Sequence, residues 1–165
     1  ELVKKLNPNI LKLTINDIVP YQFTLPASPY VAKGNTFLDI DFLIEKKEYL
    51  QTFCDVLIIE GAGGLMVPLN DKDLIIDLIK KFNVEVILVS RNYLGSINHT
   101  LLSVEALRSR NIPIKGILFN GESTPATEGI IIKQTGLTVI GHIPILNHID
   151  KMTIKDLCEK INLTF

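Results

Sequence analysis

Cysteine is scarce: Cys54 and Cys158 are the only two in 165 residues. They stand far apart and suit neither a disulfide framework nor a paired metal knuckle, which fits a reducing compartment, and both read as small buried hydrophobes. A charge excess is missing as well, since 17 Lys and Arg against 18 Asp and Glu leave a formal net charge of -1. No global field then draws the chain to nucleic acid or an anionic membrane. No apolar run approaches the roughly 18 residues that cross a bilayer, and no charged-then-apolar leader opens the chain, so a soluble, cytoplasmic protein without nucleic-acid or membrane partners is expected. Three signature motifs are absent too: a GxxxxGK phosphate loop, HExxH and GxSxG. Self-contained phosphoryl transfer, zinc hydrolysis and serine esterase chemistry lack their usual apparatus here.

What is present is enough for one good core. Hydrophobic residues make up 47% and charged residues 21% of the chain, which excludes intrinsic disorder and suits a single α/β domain over 1–165. The chain starts at Glu1 inside a helical run, Glu1 to Leu6, so an N-terminal strand, loop and helix are expected to precede it.

Four β-branched runs alternate with amphipathic stretches: Asp55 to Glu60, Val84 to Ser90, Ile114 to Asn120 and Leu137 to Ile143. Their near-continuous apolar character is what strands covered on both faces require, and a spacing of about 25 to 30 residues suits βαβ units with right-handed crossovers. Helices are predicted over Leu38 to Phe53, with Asp39 capping its first turn, over Asp73 to Phe82, over Ile97 to Arg110 and over Thr153 to Ile161. Between Asn16 and Asn35 three prolines and Gly34 leave room only for a short strand around Ile18 to Phe23. The fold class is therefore α/β, a mostly parallel sheet flanked by helices.

Ligands of such sheets bind beyond the carboxyl ends of the strands. The first run leads straight into Glu60-Gly61-Ala62-Gly63-Gly64, a carboxylate followed by three glycines in four residues. A Glu there can hold Mg²⁺ directly or through water, and the glycines let backbone amides approach phosphate oxygens; a tight turn with an exposed Glu uses the same residues. After the second run, Gly95 and Ser96 open a helix whose free amides suit a carboxylate or phosphate, or simply mark a capped start. Asn120-Gly121 and the Pro144-Ile145-Leu146 loop suit the edge and flank of a nucleobase, and turn chemistry accounts for them equally well. His99, His142 and His148 show no metal spacing and read as ordinary polar or half-buried histidines.

At Glu60-Gly-Ala-Gly-Gly64 the chain resembles the dethiobiotin synthetases. The likeness continues in Tyr21-Gln-Phe-Thr-Leu-Pro26-Ala-Ser28-Pro29, Leu65-Met66-Val67-Pro68-Leu69, Leu94-Gly95-Ser96-Ile97-Asn98-His99-Thr100, Gly116-Ile-Leu-Phe-Asn120 and Gly141-His-Ile-Pro144. The resemblance implies a P-loop NTPase-like fold, a homodimer, and MgATP-dependent carboxylation and ring closure of 7,8-diaminopelargonate with CO₂. It implies Glu60 as a Mg²⁺ ligand, with Gly61, Ala62 and Gly63 against the nucleotide phosphates. Asn120 would read the adenine, with Gly121, Pro144, Ile145 and Leu146 beside it. The amides of Gly95, Ser96, Ile97 and Asn98 would take the substrate carboxylate across the dimer interface. No catalytic residue falls inside the chain; the family's phosphate loop, its lysines and a second carboxylate belong to the segment expected before Glu1. Two departures stand out: no tyrosine between Asn120 and Gly141, where some members bind substrate, and Lys151 where some members carry an acid. A cobyrinate-type amidoligase domain and a non-catalytic, truncated binding module are the rival readings.

Overall fold

Near the start of the described residues, Thr14 closes a reciprocal cap. Its Oγ1 accepts from the Asp17 amide at 3.3 Å, while Asp17 Oδ2 accepts from the Thr14 amide at 2.8 Å. This locks one turn of helix, α1 (Ile15–Ile18). The computed structural model describes residues 13–162, so the helical run predicted from Glu1 to Leu6 lies outside the described residues. The chain divides into two units, one ending at Asn83 and the other beginning at Val84.

In the first unit, α2 (Pro29–Ala32) is a single turn started by proline. Helix α3 (Ile40–Gln51) begins where Asp39 Oδ1 accepts from the amides of Asp41 at 2.9 Å and Phe42 at 3.4 Å, as the capping pattern predicts. Helix α4 (Ile75–Phe82) ends at Asn83, whose φ of 51° places it in the left-handed region. Leu38, Ile40, Leu69 and Ile75 form the buried centre of this unit, with Tyr21, Phe23, Leu43 and Val67 packed around it. Tyr21 also meets Phe42 edge-on at 5.8 Å and accepts the Asp39 amide at 3.0 Å, tying the proline-rich segment to the start of α3.

Two predicted strands in this unit do not form. Around Ile18 to Phe23 the Thr14–Asp17 cap turns the chain into helix first, and Pro20 then removes an amide that a ladder needs. From Asp55 to Glu60 the backbone carries no strand pairing, and Ile58 is 78% exposed. Its apolar content meets a strand's demand on side chains, but a strand also needs a neighbour for its amides and carbonyls, and among the described residues none pairs with it.

The second unit is a three-stranded sheet in the order β1 (Val86–Arg91), β2 (Ile114–Asn120), β3 (Val139–Ile143), parallel throughout. Helix α5 (Ser96–Ser109) connects the first two strands and α6 (Pro125–Thr135) the last two; α7 (Lys151–Cys158) follows, its N-terminus capped by Asp150. Ile117 and Phe119 of β2 and Ile131 of α6 are its fully buried centre, flanked by Ile97, Ile132 and Leu137. At Gly116 the backbone entering β3 leaves no room for a side chain, since a Cβ there would lie 2.6 Å from the Thr138 carbonyl oxygen. Both cysteines are exposed free thiols, contrary to the buried positions predicted for them. Leu157 takes the inward place at the end of α7, so its neighbour Cys158 faces outward, and Cys54 lies in the exposed stretch after α3.

Candidate functional site

The glycine run of the first unit is built as a turn. Gly63 has a φ of +91°, open to glycine and strained for other residues, and the Val67 amide donates to the Gly64 carbonyl at 3.1 Å. The chain then folds back through Pro68 and Leu74 onto the start of α4, where the Ile75 amide donates to Val67 at 2.9 Å. Glu60, Gly61, Ala62 and Gly63 are all exposed, and no described residue hydrogen-bonds to the Glu60 carboxylate. Both of its oxygens therefore remain available to a hard cation, for which carboxylate is a fitting donor. Among the described residues no three His, Cys, Asp or Glu converge.

At the carboxyl edge of the second unit's sheet, Arg91 is in register with Asn120 and Asn120 with Ile143. Asn120 Nδ2 donates to the Ile143 carbonyl at 3.2 Å and the Gly121 amide donates to the same oxygen at 2.9 Å. Asn120 is thereby held at the strand tip, followed on β3 by exposed Pro144 and Ile145 and half-buried Leu146.

Gly95, Ser96, Ile97 and Asn98 line an open groove of about 730 Å³, together with Asn92 and Thr124. Gly95 starts α5 at a φ of +101° with no side chain capping the helix. The Ser96 amide donates to the Tyr93 carbonyl at 3.0 Å, which leaves the Ile97 and Asn98 amides for a ligand. Ser96 itself is 2% exposed, and its Oγ has no partner. Buried hydroxyls are ordinarily bonded, and this one is left without a partner among the described residues. Nearby, the buried pair Ser90 and Thr100 share a 2.9 Å hydrogen bond that fixes the first turns of α5 to β1.

Sequence reasoning passed over Glu128. Its side chain, 15% exposed, accepts from Asn92 Nδ2 at 2.6 Å, from the Thr124 amide at 2.9 Å and from Ser123 Oγ at 3.4 Å, with His142 Nε2 at 3.9 Å. Burial pushes its carboxyl up, but those hydrogen bonds and the neighbouring imidazole hold it below the usual value. The available signal was Thr124-Pro125-Ala126-Thr127-Glu128, an acid one residue beyond the capping-box spacing.

A parallel sheet with helical crossovers, a glycine turn behind a carboxylate and an open helix N-terminus define an α/β protein of the P-loop NTPase-like class. In agreement, residues 4–153 match the family model described as an AAA domain. The chain belongs to the ATP-dependent dethiobiotin synthetase family. It is 44% identical over 141 residues to the member from Cytophaga hutchinsonii, covering 86% of this chain and 68% of that protein. To the member from Christiangramia forsetii it is 57% identical over 104 residues, covering 63% of this chain and 50% of that protein. To that from a Sulfurovum species it is 49% identical over 112 residues, 68% of this chain and 53% of that protein. The chain thus spans between half and about two thirds of these relatives' lengths. Among the described residues no helix is long and apolar enough to cross a membrane.

Proposed function

We propose that this chain is part of a cytoplasmic, homodimeric dethiobiotin synthetase that converts 7,8-diaminopelargonate and CO₂ to dethiobiotin at the expense of ATP. The observation that carries the reading, in a chain of this family, is the uncapped start of α5. Two free amides, a helix dipole and an unpartnered buried hydroxyl make a receptor for a small carboxylate there. Tyr93 and Leu94 stand exposed beside it, which supports completion of the groove by a second copy.

In this reading one amine adds to CO₂ to give a carbamate, whose oxygen accepts the γ-phosphoryl group. The second amine then attacks the carbonyl carbon, phosphate leaves and the cyclic urea closes. Carbamate and triphosphate are both anionic, so the protein must hold two repelling groups in line. The α5 amides anchor the substrate's remote carboxylate, which sets the diamine end in position. Asn120 presents an amide edge to the adenine, with Gly121 leaving room and Pro144, Ile145 and Leu146 flanking the ring. Gly61, Ala62 and Gly63 let the backbone approach the phosphates, and Glu60 would hold Mg²⁺, which supplies charge neutralisation of the triphosphate.

The test is product formation by the full-length protein from 7,8-diaminopelargonate, bicarbonate and MgATP, read by mass spectrometry of dethiobiotin alongside ADP release. Absence of both products would remove the reading. Glu60→Gln is expected to lower turnover by orders of magnitude with the circular dichroism spectrum unchanged; wild-type turnover would remove the metal role.

A further inference from the structure

Resting on the substrate reading of the α5 groove, we propose that Glu128 is a positioning residue that braces the two walls of that groove. One wall comes from the β1–α5 connection through Asn92, and the other from the start of α6 through Thr124. Glu128 joins them through a single oxygen, since Oε1 accepts from both Asn92 Nδ2 and the Thr124 amide. Its other oxygen accepts from Ser123 Oγ.

The brace also sets the orientation of Asn92. Its Nδ2 faces two acceptors, Glu128 Oε1 at 2.6 Å and the Glu122 carbonyl at 2.9 Å, so the nitrogen must occupy that side and Oδ1 the other, where it has no partner. With Glu128 removed, only the Glu122 carbonyl would hold the amide, and the loop leading to Gly95 would lose its tie to α6. Positions that set a ligand's geometry need such support, because small misplacements cost rate and affinity.

Glu128→Ala removes all three acceptor contacts. Glu128→Gln keeps an oxygen at the Oε1 position and with it the bonds to Asn92 and Thr124. In the full-length protein, Glu128→Ala is expected to raise the KM for 7,8-diaminopelargonate about tenfold, the scale of one hydrogen bond whose acceptor is lost, with the KM for ATP unchanged and Glu128→Gln, which keeps the acceptor, restoring wild-type behaviour. Hydrogen exchange is expected to quicken in Glu128→Ala across 92–98 and 122–124 together and to return to wild type in Glu128→Gln. Unchanged exchange in Glu128→Ala, or equal rises in both KM values, would overturn the brace. If the wild-type protein binds no diamine while Glu128→Ala still shows the paired exchange changes, the substrate reading is overturned and the brace stays in place.

Discussion

Replacing Gly116 with alanine tests the tight contact between β2 and the backbone entering β3. The new Cβ would lie 2.6 Å from the Thr138 carbonyl oxygen and 2.8 Å from Ile140 Cγ1. The Ile140 side chain can rotate, but the Thr138 carbonyl is backbone and accepts the Ile117 amide at 2.9 Å, so β2 and β3 must separate to make room. Restoring ordinary contact requires about 1 Å of movement against a packed core in which Ile117 and Phe119 are fully buried. Overpacking of this kind costs about 1–3 kcal/mol, and the smaller unfolded-state entropy of alanine offsets only about 0.4–1 kcal/mol. A net loss of about 1–2 kcal/mol is therefore expected in urea unfolding of the full-length protein, as a lower midpoint with an unchanged slope. Gly129→Ala serves as the control: it lies within α6 with open space around its Cα, so alanine there is expected to stabilise by about 0.5–1 kcal/mol. Equal stability of Gly116→Ala and wild type, or a shift matching the control in sign, would refute the reasoning.

Ser96→Ala removes a buried hydroxyl that has no partner. It is expected to leave the unliganded protein as stable or about 1 kcal/mol more stable, while weakening the substrate carboxylate; a clear loss of stability would mean that the hydroxyl is already bonded. Acid sensitivity follows from carboxylates held below their ordinary values, Asp73 by Asn70 Nδ2 and Lys81, and Glu128 by Thr124 and Asn92 against the upward push of burial. Groups lowered on folding contribute stability above their unfolded values of 3.8 and 4.5, and that contribution is lost as the pH falls through the lowered native values. The urea midpoint is expected to drop on acidification below 4.5 and to drop less in Glu128→Gln; identical profiles for the two proteins would count against Glu128 as a contributor.

Features set by neighbouring residues were legible in the sequence. The cap at Asp39, the start of α5 at Gly95 and Ser96, and the run from Ile114 to Asn120 as a strand all depend on groups a few positions apart, and each lies where the periodicity puts it. The same locality made the turn after Glu60 readable from its glycines. Thr14 and Asp17 carried an equally local signal, a capping pair, but the β-branched content that follows suggested a strand and concealed it.

The sequence by itself determined the class of fold, the parallel direction of β1 to β3, the glycine turns and the family. These follow from side-chain period, backbone freedom and motif order, all written along the chain. Only the tertiary structure decided that Asp55 to Glu60 finds no strand partner among the described residues, that both thiols face outward, and that Glu128 joins the two walls of the groove. Pairing, burial and bridging each need a partner distant in sequence. Asn92 and Glu128 are 36 positions apart, and nothing in either neighbourhood specifies the 2.6 Å contact between them until β1 and β2 lie side by side.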